Sequence, residues 1–198
     1  SSTQVVAYDS SNGAYASRLW WMLRWLGHHD VAILDGGWAV GHRKGRPIST
    51  VVPEPRPGRF FPRPRPDLTV DADRVNEIRT DPNYCLVDSR APERYRGETE
   101  PIDPIAGHIP GASSYFYGTN VNPDGTFLGP NELKLRFQET FGDTPAGRIV
   151  FYCGSGVTAA HNAFAMRLAG LGEALLYPGS WSEWITDPSR PVSRVSRD

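Results

Sequence analysis

The segment that most restricts the possible folds is an apolar run, a glycine-containing loop and an alanine-rich run in direct succession. Residues 149–152 are four apolar, β-favouring residues, and residues 159–168 have the composition of a helix. Between them Cys153 opens a loop that contains two glycines. A strand, a tight loop and a helix in this order predict an α/β fold with a parallel sheet covered by helices on both faces. They also place the cysteine at the carboxyl end of a strand, where such folds carry their sites.

Cys153 stands where a thiolate is favoured. Its sulfur is expected to face the amino terminus of a helix and successive backbone N–H groups, which stabilise a negative charge. The glycines of the loop allow backbone conformations that bring these amides together. We therefore predict that Cys153 is a nucleophile and that a substrate is held by the loop residues Gly154, Ser155, Gly156, Val157 and Thr158. The alternative is a small buried cysteine at a strand end.

Composition and charge exclude several classes of function. The chain has 198 residues, a formal net charge of -1 and scattered basic residues, so neither a nucleic-acid nor an anionic membrane partner is expected. No apolar run approaches the roughly 20 residues of a membrane span. The two cysteines make no disulfide framework, and no cluster has zinc spacing, so we expect a cytoplasmic protein without a metal or an organic cofactor. Cys85 lies in a short apolar run and is interpreted as an inert core residue.

Three chemistries use a cysteine in such a loop. A cysteine phosphatase or arsenate reductase needs an arginine six residues after the cysteine, and that position is Ala159 here. A cysteine hydrolase needs a histidine base, and the sequence does not show whether any histidine reaches Cys153. Sulfur transfer is the third chemistry.

The loop resembles that of a known family. Residues 153–158 read Cys-Gly-Ser-Gly-Val-Thr, which is similar to the active loop of the 3-mercaptopyruvate sulfurtransferases. The related thiosulfate sulfurtransferases, the rhodaneses, carry Cys-Arg-Lys-Gly-Val-Thr. Residues 106–112 and 174–184 resemble the amino-terminal and carboxy-terminal signatures of the same family. The first match is incomplete, because Pro104 replaces an aromatic residue and Tyr115 an aliphatic one.

This resemblance implies a sulfurtransferase of tandem rhodanese type. Cys153 would take the sulfur of a small anionic donor, hold it as a persulfide on the loop amides and pass it to cyanide or an acceptor thiol. The resemblance further implies that Arg94, six residues after Asp88, binds the anionic group of the donor. Asp88 and Arg90 are interpreted as braces for the loops, and Arg96 as a surface residue in a salt bridge.

Two positions bear on the donor. Thiosulfate is a dianion, and the basic pair of the rhodanese loop is replaced by Gly154 and Ser155, which favours 3-mercaptopyruvate, with thiosulfate next. Asp103 argues the other way, because the mercaptopyruvate enzymes usually carry a second carboxylate-binding arginine at this position. The alternative function is a persulfide carrier or a docking module for a sulfur acceptor, for example in iron–sulfur assembly.

The first residues of the chain repeat the loop-bearing region without its cysteine. Residues 5–9 align with 149–153, and residues 34–38 align with 177–181. Asp9 takes the place of Cys153, so this copy is expected to be catalytically silent. Between the two aligned segments a helix is predicted over residues 13–26, with one apolar face formed by Leu19, Met22, Leu23 and Leu26.

These observations predict one complete rhodanese-like domain and the second half of an inactive one. Residues 1–52 form the inactive half, 53–67 a proline-rich linker, 68–191 the catalytic domain and 192–198 a tail. Within the catalytic domain, helices are predicted over 70–79 and 131–141, and strands over 85–88 and 174–177. A half domain exposes a sheet edge and apolar surface, so we expect a preceding segment of the same gene product, either as a second chain left by cleavage or as part of a longer chain.

Overall fold

The computed structural model describes residues 3–54 and 57–195, so the predicted linker and tail lie partly outside the described residues. The strands are β1 (Val5–Ala7), β2 (Val31–Ile33), β3 (Cys85–Asp88), β4 (Ser113–Ser114), β5 (Ile149–Tyr152) and β6 (Leu175–Leu176). The helices are α1 (Ala14–Trp25), α2 (Gly37–Arg43), α3 (Ala72–Ile78), α4 (Pro92–Arg96), α5 (Pro130–Phe141), α6 (Val157–Leu168) and α7 (Ser180–Trp184). Short 3-10 helices cover Pro66–Leu68, Tyr117–Asn120 and Ala146–Arg148. None of the described helices is long and apolar enough to cross a bilayer.

The larger sheet is parallel, as predicted. Its strand order is β4-β3-β5-β6, and β3 pairs with β5 from Cys85 opposite Ile149 to Asp88 opposite Tyr152. The four residues of β5 are buried because both faces of the sheet are covered. Ile149 and Phe151 belong to the apolar core that includes α5 and α6, and their neighbours on β5 belong to the core that includes α3 and α7. The expected helices on both faces are therefore present.

The first copy folds like the second around the end of its strand. β1 and β2 form a separate two-stranded parallel sheet. The N–H of Trp38 donates to the carbonyl of Asp9 over 2.9 Å, and the N–H of Trp181 donates to the carbonyl of Cys153 over 3.0 Å. Gly37 has a φ of 54°, and a Cβ there would meet the Asp9 carbonyl, which explains the glycine. The sequence repeat is therefore also a structural repeat, and it contains α2, which the sequence analysis did not predict.

The apolar face predicted for α1 is not its buried face. Leu19 and Met22 are 44% and 39% exposed. The buried residues of the helix are Ala14, Ala16, Ser17, Trp20 and Trp21. They pack against α6, where the ring centroids of Trp20 and Phe164 lie 5.0 Å apart. The small residues of this face allow close approach of the two helices, and this packing outweighs the count of leucines on the other face.

Elsewhere the predicted elements are present, with shifted ends. α3 begins later than expected because the carboxylate of Asp71 accepts a hydrogen bond from the N–H of Arg74 and caps the helix. The last strand is two residues shorter than predicted. α4 and α7 are single-turn helices that the sequence analysis did not identify.

The described part of the proline-rich segment follows the carboxyl end of α1. The N–H groups of Arg63 and Arg65 donate to the carbonyls of Leu26 and Trp25 over 2.9 and 2.8 Å. The guanidinium of Arg65 also lies 2.8 Å from Glu173, which pairs with Arg24 of α1 over 2.6 Å. These bonds join α1 to the segment that precedes β6. The division of the chain into the four predicted regions stays a prediction.

Candidate active site

Cys153 directly follows β5 and precedes α6, as the sequence predicted. The residue is 2% exposed, and its backbone is held by the turn after β6. Its N–H donates to the hydroxyl of Ser180 over 3.1 Å, and that hydroxyl donates to the carbonyl of Tyr177 over 2.8 Å. Cys153 follows β5 and Tyr177 follows β6, and these two strands are neighbours in one sheet. The sheet therefore determines the position of the cysteine.

The side chain of Cys153 lies at a cleft of about 380 Å³. The cleft is lined by Ser11, Ala14, Tyr15, Arg94, Ile102, Tyr117, Cys153, Gly154, Ser155, Val157, Thr158 and Ser182. Four of the five predicted loop residues therefore line the cleft. Gly156 does not: it precedes α6 with a φ of 74°, and a Cβ there would lie 2.5 Å from the carbonyl of Pro178. Gly156 therefore allows the left-handed backbone conformation that the loop adopts directly before α6.

Arg94 reaches the cleft from α4. Its Nε and Nη2 donate to the two carboxylate oxygens of Glu100 over 3.2 and 2.6 Å, and Nη2 lies 3.5 Å from Asp103. A Cβ at position 154 would lie 3.6 Å from both Nη1 and Nη2 of this guanidinium, so Arg94 is adjacent to the loop. Burial alone would raise the pKa of Glu100, but the bond from Arg94 and two backbone N–H groups lower it below its usual value. Glu100 is therefore an anion at neutral pH.

Asp88 and Arg90 form an ion pair that also binds the segment around Gly107. Both residues are buried, and the guanidinium Nη2 of Arg90 donates to Asp88 and to the carbonyl of Gly107, each over 2.6 Å. The same guanidinium lies 4.9 Å from the ring of Trp181. These contacts agree with the predicted bracing role. Arg96 forms a salt bridge with Glu98 near the surface, also as expected.

The silent copy forms part of the cleft wall, which the sequence analysis missed. Ser11, Ala14 and Tyr15 all belong to the loop and first turn around Asp9. Arg18 of α1 donates to the carbonyl of Gly156 over 3.3 Å. Burial lowers the pKa of Arg18, and a negative charge on Cys153 would oppose this change. No sequence signal links two residues 138 positions apart.

Asp9 shows what this type of loop binds. Its carboxylate accepts four backbone hydrogen bonds of 2.8 to 2.9 Å, from the N–H groups of Ser11, Gly13, Tyr15 and Ala16. Burial raises the pKa of Asp9, but these four bonds outweigh it, so the pKa is lower than usual. A loop of this kind therefore holds an anion at the position that Cys153 occupies in the second copy.

Neither a histidine base nor a metal cluster accompanies Cys153 in the described part of the chain. No histidine is among the residues that line the cleft. His161, on α6, is buried with its Nε2 3.1 Å from the carbonyl of Asn12. Its burial lowers its pKa to about 4, so it is neutral at pH 7. Among residues 3–54 and 57–195 no group of three acidic, histidine or cysteine side chains could hold a metal ion. The cysteine-hydrolase alternative therefore gains no support.

Cys85 is separate from the cleft. It is half-buried on β3, and its sulfur lies 3.7 Å from the hydroxyl of Thr144. Cys85 packs against the core that includes α5 and α6, and its inertness stays a prediction.

Most of the chain matches one family of known proteins. The family model of the rhodanese-like domain matches residues 1–44 and 71–187. A probable 3-mercaptopyruvate sulfurtransferase of Pseudomonas aeruginosa is 48% identical over 96% of this chain and 68% of its own length. A putative thiosulfate sulfurtransferase of Mycobacterium tuberculosis is 40% identical over 96% of this chain and 66% of its own length. A sulfur carrier protein of Thermus thermophilus is 34% identical over 97% of this chain and 71% of its own length.

A solved structure has the same fold. The anaerobic ergothioneine biosynthesis enzyme from Chlorobium limicola, in complex with trimethyl histidine, superposes with a TM-score of 0.87 at 29% identity. The match covers 99% of this chain and 52% of that chain. The chain thus spans about two thirds of the length of these curated relatives and about half of that enzyme.

Proposed function

Because the chain belongs to the family of rhodanese-like domains, we propose that it is a sulfurtransferase in which Cys153 carries sulfur from a donor to an acceptor. The observation that supports this most directly is the cleft that Cys153 lines together with Arg94 and the loop before α6. A nucleophilic thiol and a cation for an anionic donor are the two groups that such a reaction needs. No metal or organic cofactor takes part.

The proposed reaction has two steps. In the first, the Cys153 thiolate attacks the transferable sulfur of the donor, and a new S–S bond forms while the donor's bond to that sulfur breaks. The leaving group keeps the electron pair: 3-mercaptopyruvate leaves as pyruvate after taking up a proton, and thiosulfate leaves as sulfite. In the second step, cyanide or an acceptor thiolate attacks the outer sulfur, and Cys153 leaves as thiolate.

In this proposal the loop holds the persulfide and Arg94 holds the donor. The binding of the Asp9 carboxylate by four N–H groups supports an anion-binding role for the equivalent loop amides from Gly154 to Thr158. Arg94 lines the cleft, which supports its proposed role in binding the anionic group of the donor. We propose 3-mercaptopyruvate as the favoured donor and thiosulfate as the next, because Gly154 and Ser155 add no charge to the loop.

A persulfide carrier is the second candidate. The relative from Thermus thermophilus is named a sulfur carrier protein, and it matches nearly all of this chain. A carrier would accept one sulfur atom on Cys153 and release it only to a partner protein. The two candidates differ in turnover with small molecules.

Two measurements test the proposal. Intact mass after treatment with donor is expected to show one added sulfur atom in the native protein and in Cys85→Ser, and none in Cys153→Ser. Thiocyanate formation with excess donor and cyanide is expected to continue over many turnovers. An unmodified native protein, or sulfur bound only at Cys85, would contradict the assignment. A stop after one sulfur per Cys153 would identify the carrier.

Two points concern the surroundings of the protein. We propose a cytoplasmic location, because both cysteines are free thiols, which a reducing compartment maintains. A preceding segment of the same gene product, packed as a second chain against residues 1–52, stays a prediction. Denaturing electrophoresis and mass measurement of the natural protein would test it.

A further inference from the structure

The guanidinium of Arg94 forms ion pairs with two carboxylates of the protein itself. Its Nε and Nη2 face Glu100, and Nη2 also lies 3.5 Å from the carboxylate of Asp103. The side chains of Glu100 and Asp103 are only 3% and 9% exposed, so water screens these contacts little. Among the described residues, Nη1 is the one nitrogen of this guanidinium without a hydrogen-bond partner. The Nε and Nη2 groups of Arg94 are thus not available for a bidentate interaction with a donor.

Asp103 is held in this position by two further bonds. Its Oδ1 accepts a hydrogen bond from the hydroxyl of Ser182 over 2.8 Å, and its own N–H donates to Glu100 over 3.2 Å. Ser182 lines the cleft, and its N–H donates to the carbonyl of Gly154 over 2.9 Å. The carboxylate of Asp103 therefore cannot turn away from Arg94 without breaking bonds that also position the loop of Cys153.

The charges on this side of the cleft do not balance. Arg90 pairs with Asp88 and Glu100, and Arg94 pairs with Glu100 and Asp103. Three carboxylates thus share two guanidinium groups, and the lowered pKa of Glu100 keeps it charged. Arg18 lies outside this cluster, because its guanidinium donates to the carbonyl of Gly156 from α1. This cluster of ion pairs, which reaches the cleft through Arg94, therefore carries an excess of one negative charge.

We propose that Asp103 determines the charge of the donor: by pairing with Arg94 it selects donors with at most one negative charge over dianions such as thiosulfate. The inference rests on the proposed function, because it requires that the donor reaches Cys153 past Arg94. A monoanion such as 3-mercaptopyruvate needs one N–H of the guanidinium, and Nη1 supplies it. A dianion is repelled by the uncompensated carboxylate, and the repulsion grows in proportion to its charge.

The decisive variant is Asp103→Asn, which removes the charge and keeps an oxygen for Ser182. We expect kcat/KM to rise about three-fold for 3-mercaptopyruvate and about ten-fold for thiosulfate, because twice the charge doubles the electrostatic free energy. The change should lie mainly in KM. Glu132→Gln is the matched control, since Glu132 is an exposed carboxylate paired with Arg136 on α5, outside the cleft. It should leave both values unchanged.

A second readout needs no variant. Rising ionic strength screens the repulsion, so the ratio of kcat/KM for thiosulfate to that for 3-mercaptopyruvate should increase with salt in the native protein. In Asp103→Asn the ratio should stay flat. Should the variant not fold, a flat ratio in the native protein alone would overturn the inference.

The remaining outcomes separate the inference from the proposed function. If Cys153 forms a persulfide with either donor but Asp103→Asn leaves the donor ratio unchanged, the inference is wrong and the proposed function stands. If neither donor places sulfur on Cys153 of the native protein, both are wrong.

Discussion

At the scale of single residues, Arg94 is expected to act on donor binding and not on the persulfide. Arg94→Ala removes a charge-assisted hydrogen bond of about 1.5 to 3 kcal/mol, which corresponds to a rise of roughly ten- to 150-fold in KM for an anionic donor. The rate at which cyanide discharges a preformed persulfide should change little, because the persulfide is held by the loop. Steady-state and single-turnover kinetics measure the two effects separately.

The control for Arg94 is Arg96→Ala. Arg96 belongs to the same short helix but pairs with Glu98 and does not line the cleft. It should leave both rates unchanged. Donor kinetics that are the same with and without Arg94 would show that it does not bind the donor.

Arg18 is a residue whose effect should be on the thiolate. Arg18→Met keeps much of the side-chain volume and removes the cation that lies near Cys153. We expect alkylation of Cys153 by iodoacetamide at pH 7 to slow several-fold, because the thiolate loses a neighbouring positive charge. Arg43→Met is the control, since Arg43 donates to the carbonyl of Asp124 on another surface. An alkylation rate that does not change would exclude an electrostatic role for Arg18.

At the scale of elements, the strand–loop–helix unit occurs twice with two different anions. In the first copy the carboxylate of Asp9 caps the loop and the start of α1 by four hydrogen bonds. In the second copy Cys153 occupies the same place, so the unit can hold a charge that appears only when the thiolate or persulfide forms. The carboxylate of Asp9 thus occupies the amides of the first copy permanently. The amides of the second copy stay available for the thiolate or persulfide of Cys153.

Asp9 is therefore expected to stabilise the fold. Asp9→Ala should lower the free energy of unfolding at pH 7 by about 1 to 2 kcal/mol, the usual effect of losing a helix cap. Asp9→Asn, which keeps one acceptor oxygen, should cost less. Urea unfolding at fixed pH measures both values.

The contribution of Asp9 should also depend on pH. Its pKa in the folded protein is lowered from 3.8, so the folded state binds its proton less readily than the unfolded state. The stabilisation is complete above this pH and is lost as the pH falls through the lower, folded value. The difference between the native protein and Asp9→Asn should accordingly shrink below about pH 4. A difference that is constant down to pH 3 would contradict the carboxylate as its cause.

At the scale of the whole molecule, the silent copy is joined to the catalytic one through α6. Trp20 packs on Phe164, Arg18 bonds the loop, and His161 bonds the carbonyl of Asn12. Residues of the silent copy also line the cleft. The first copy is thus catalytically silent in our interpretation but structurally part of the site.

His161 makes this junction sensitive to acid. Burial is the main cause of its lowered pKa of about 4, against weaker opposing effects of the Asn12 carbonyl and the charge of Asp9. The unfolded chain binds a proton near pH 6.5, so stability falls as the pH falls from there towards 4. His161→Gln removes this pH dependence. The native protein should therefore exceed the variant in free energy of unfolding by about 2 kcal/mol less at pH 5 than at pH 7.

Urea unfolding at the two pH values tests the role of His161, with His29→Gln as the control because His29 is exposed. The control should keep the pH dependence of the native protein. A pH dependence that persists in His161→Gln would assign it to other groups.

The sequence by itself determined the local units and the principal residue of the site. The strand of residues 149–152, the loop of Cys153 and the helix after it depend on residues adjacent in the chain, and so does the position of Asp9 after β1. Arg94 was expected at the site from the family resemblance. The internal repeat could be predicted for the same reason, because two copies of one local pattern fold alike.

Only the tertiary structure decided which face of α1 is buried, that Arg18 contacts the loop of Cys153, and which carboxylates pair with Arg94. The leucines of α1 indicated one face, but the small residues opposite them fit closer to α6 and are buried instead. Arg18 meets Gly156, and Asp103 meets Arg94 and Ser182, through contacts between separate elements. Such contacts depend on how the elements dock, and docking is determined by packing over the whole chain and not by any local pattern.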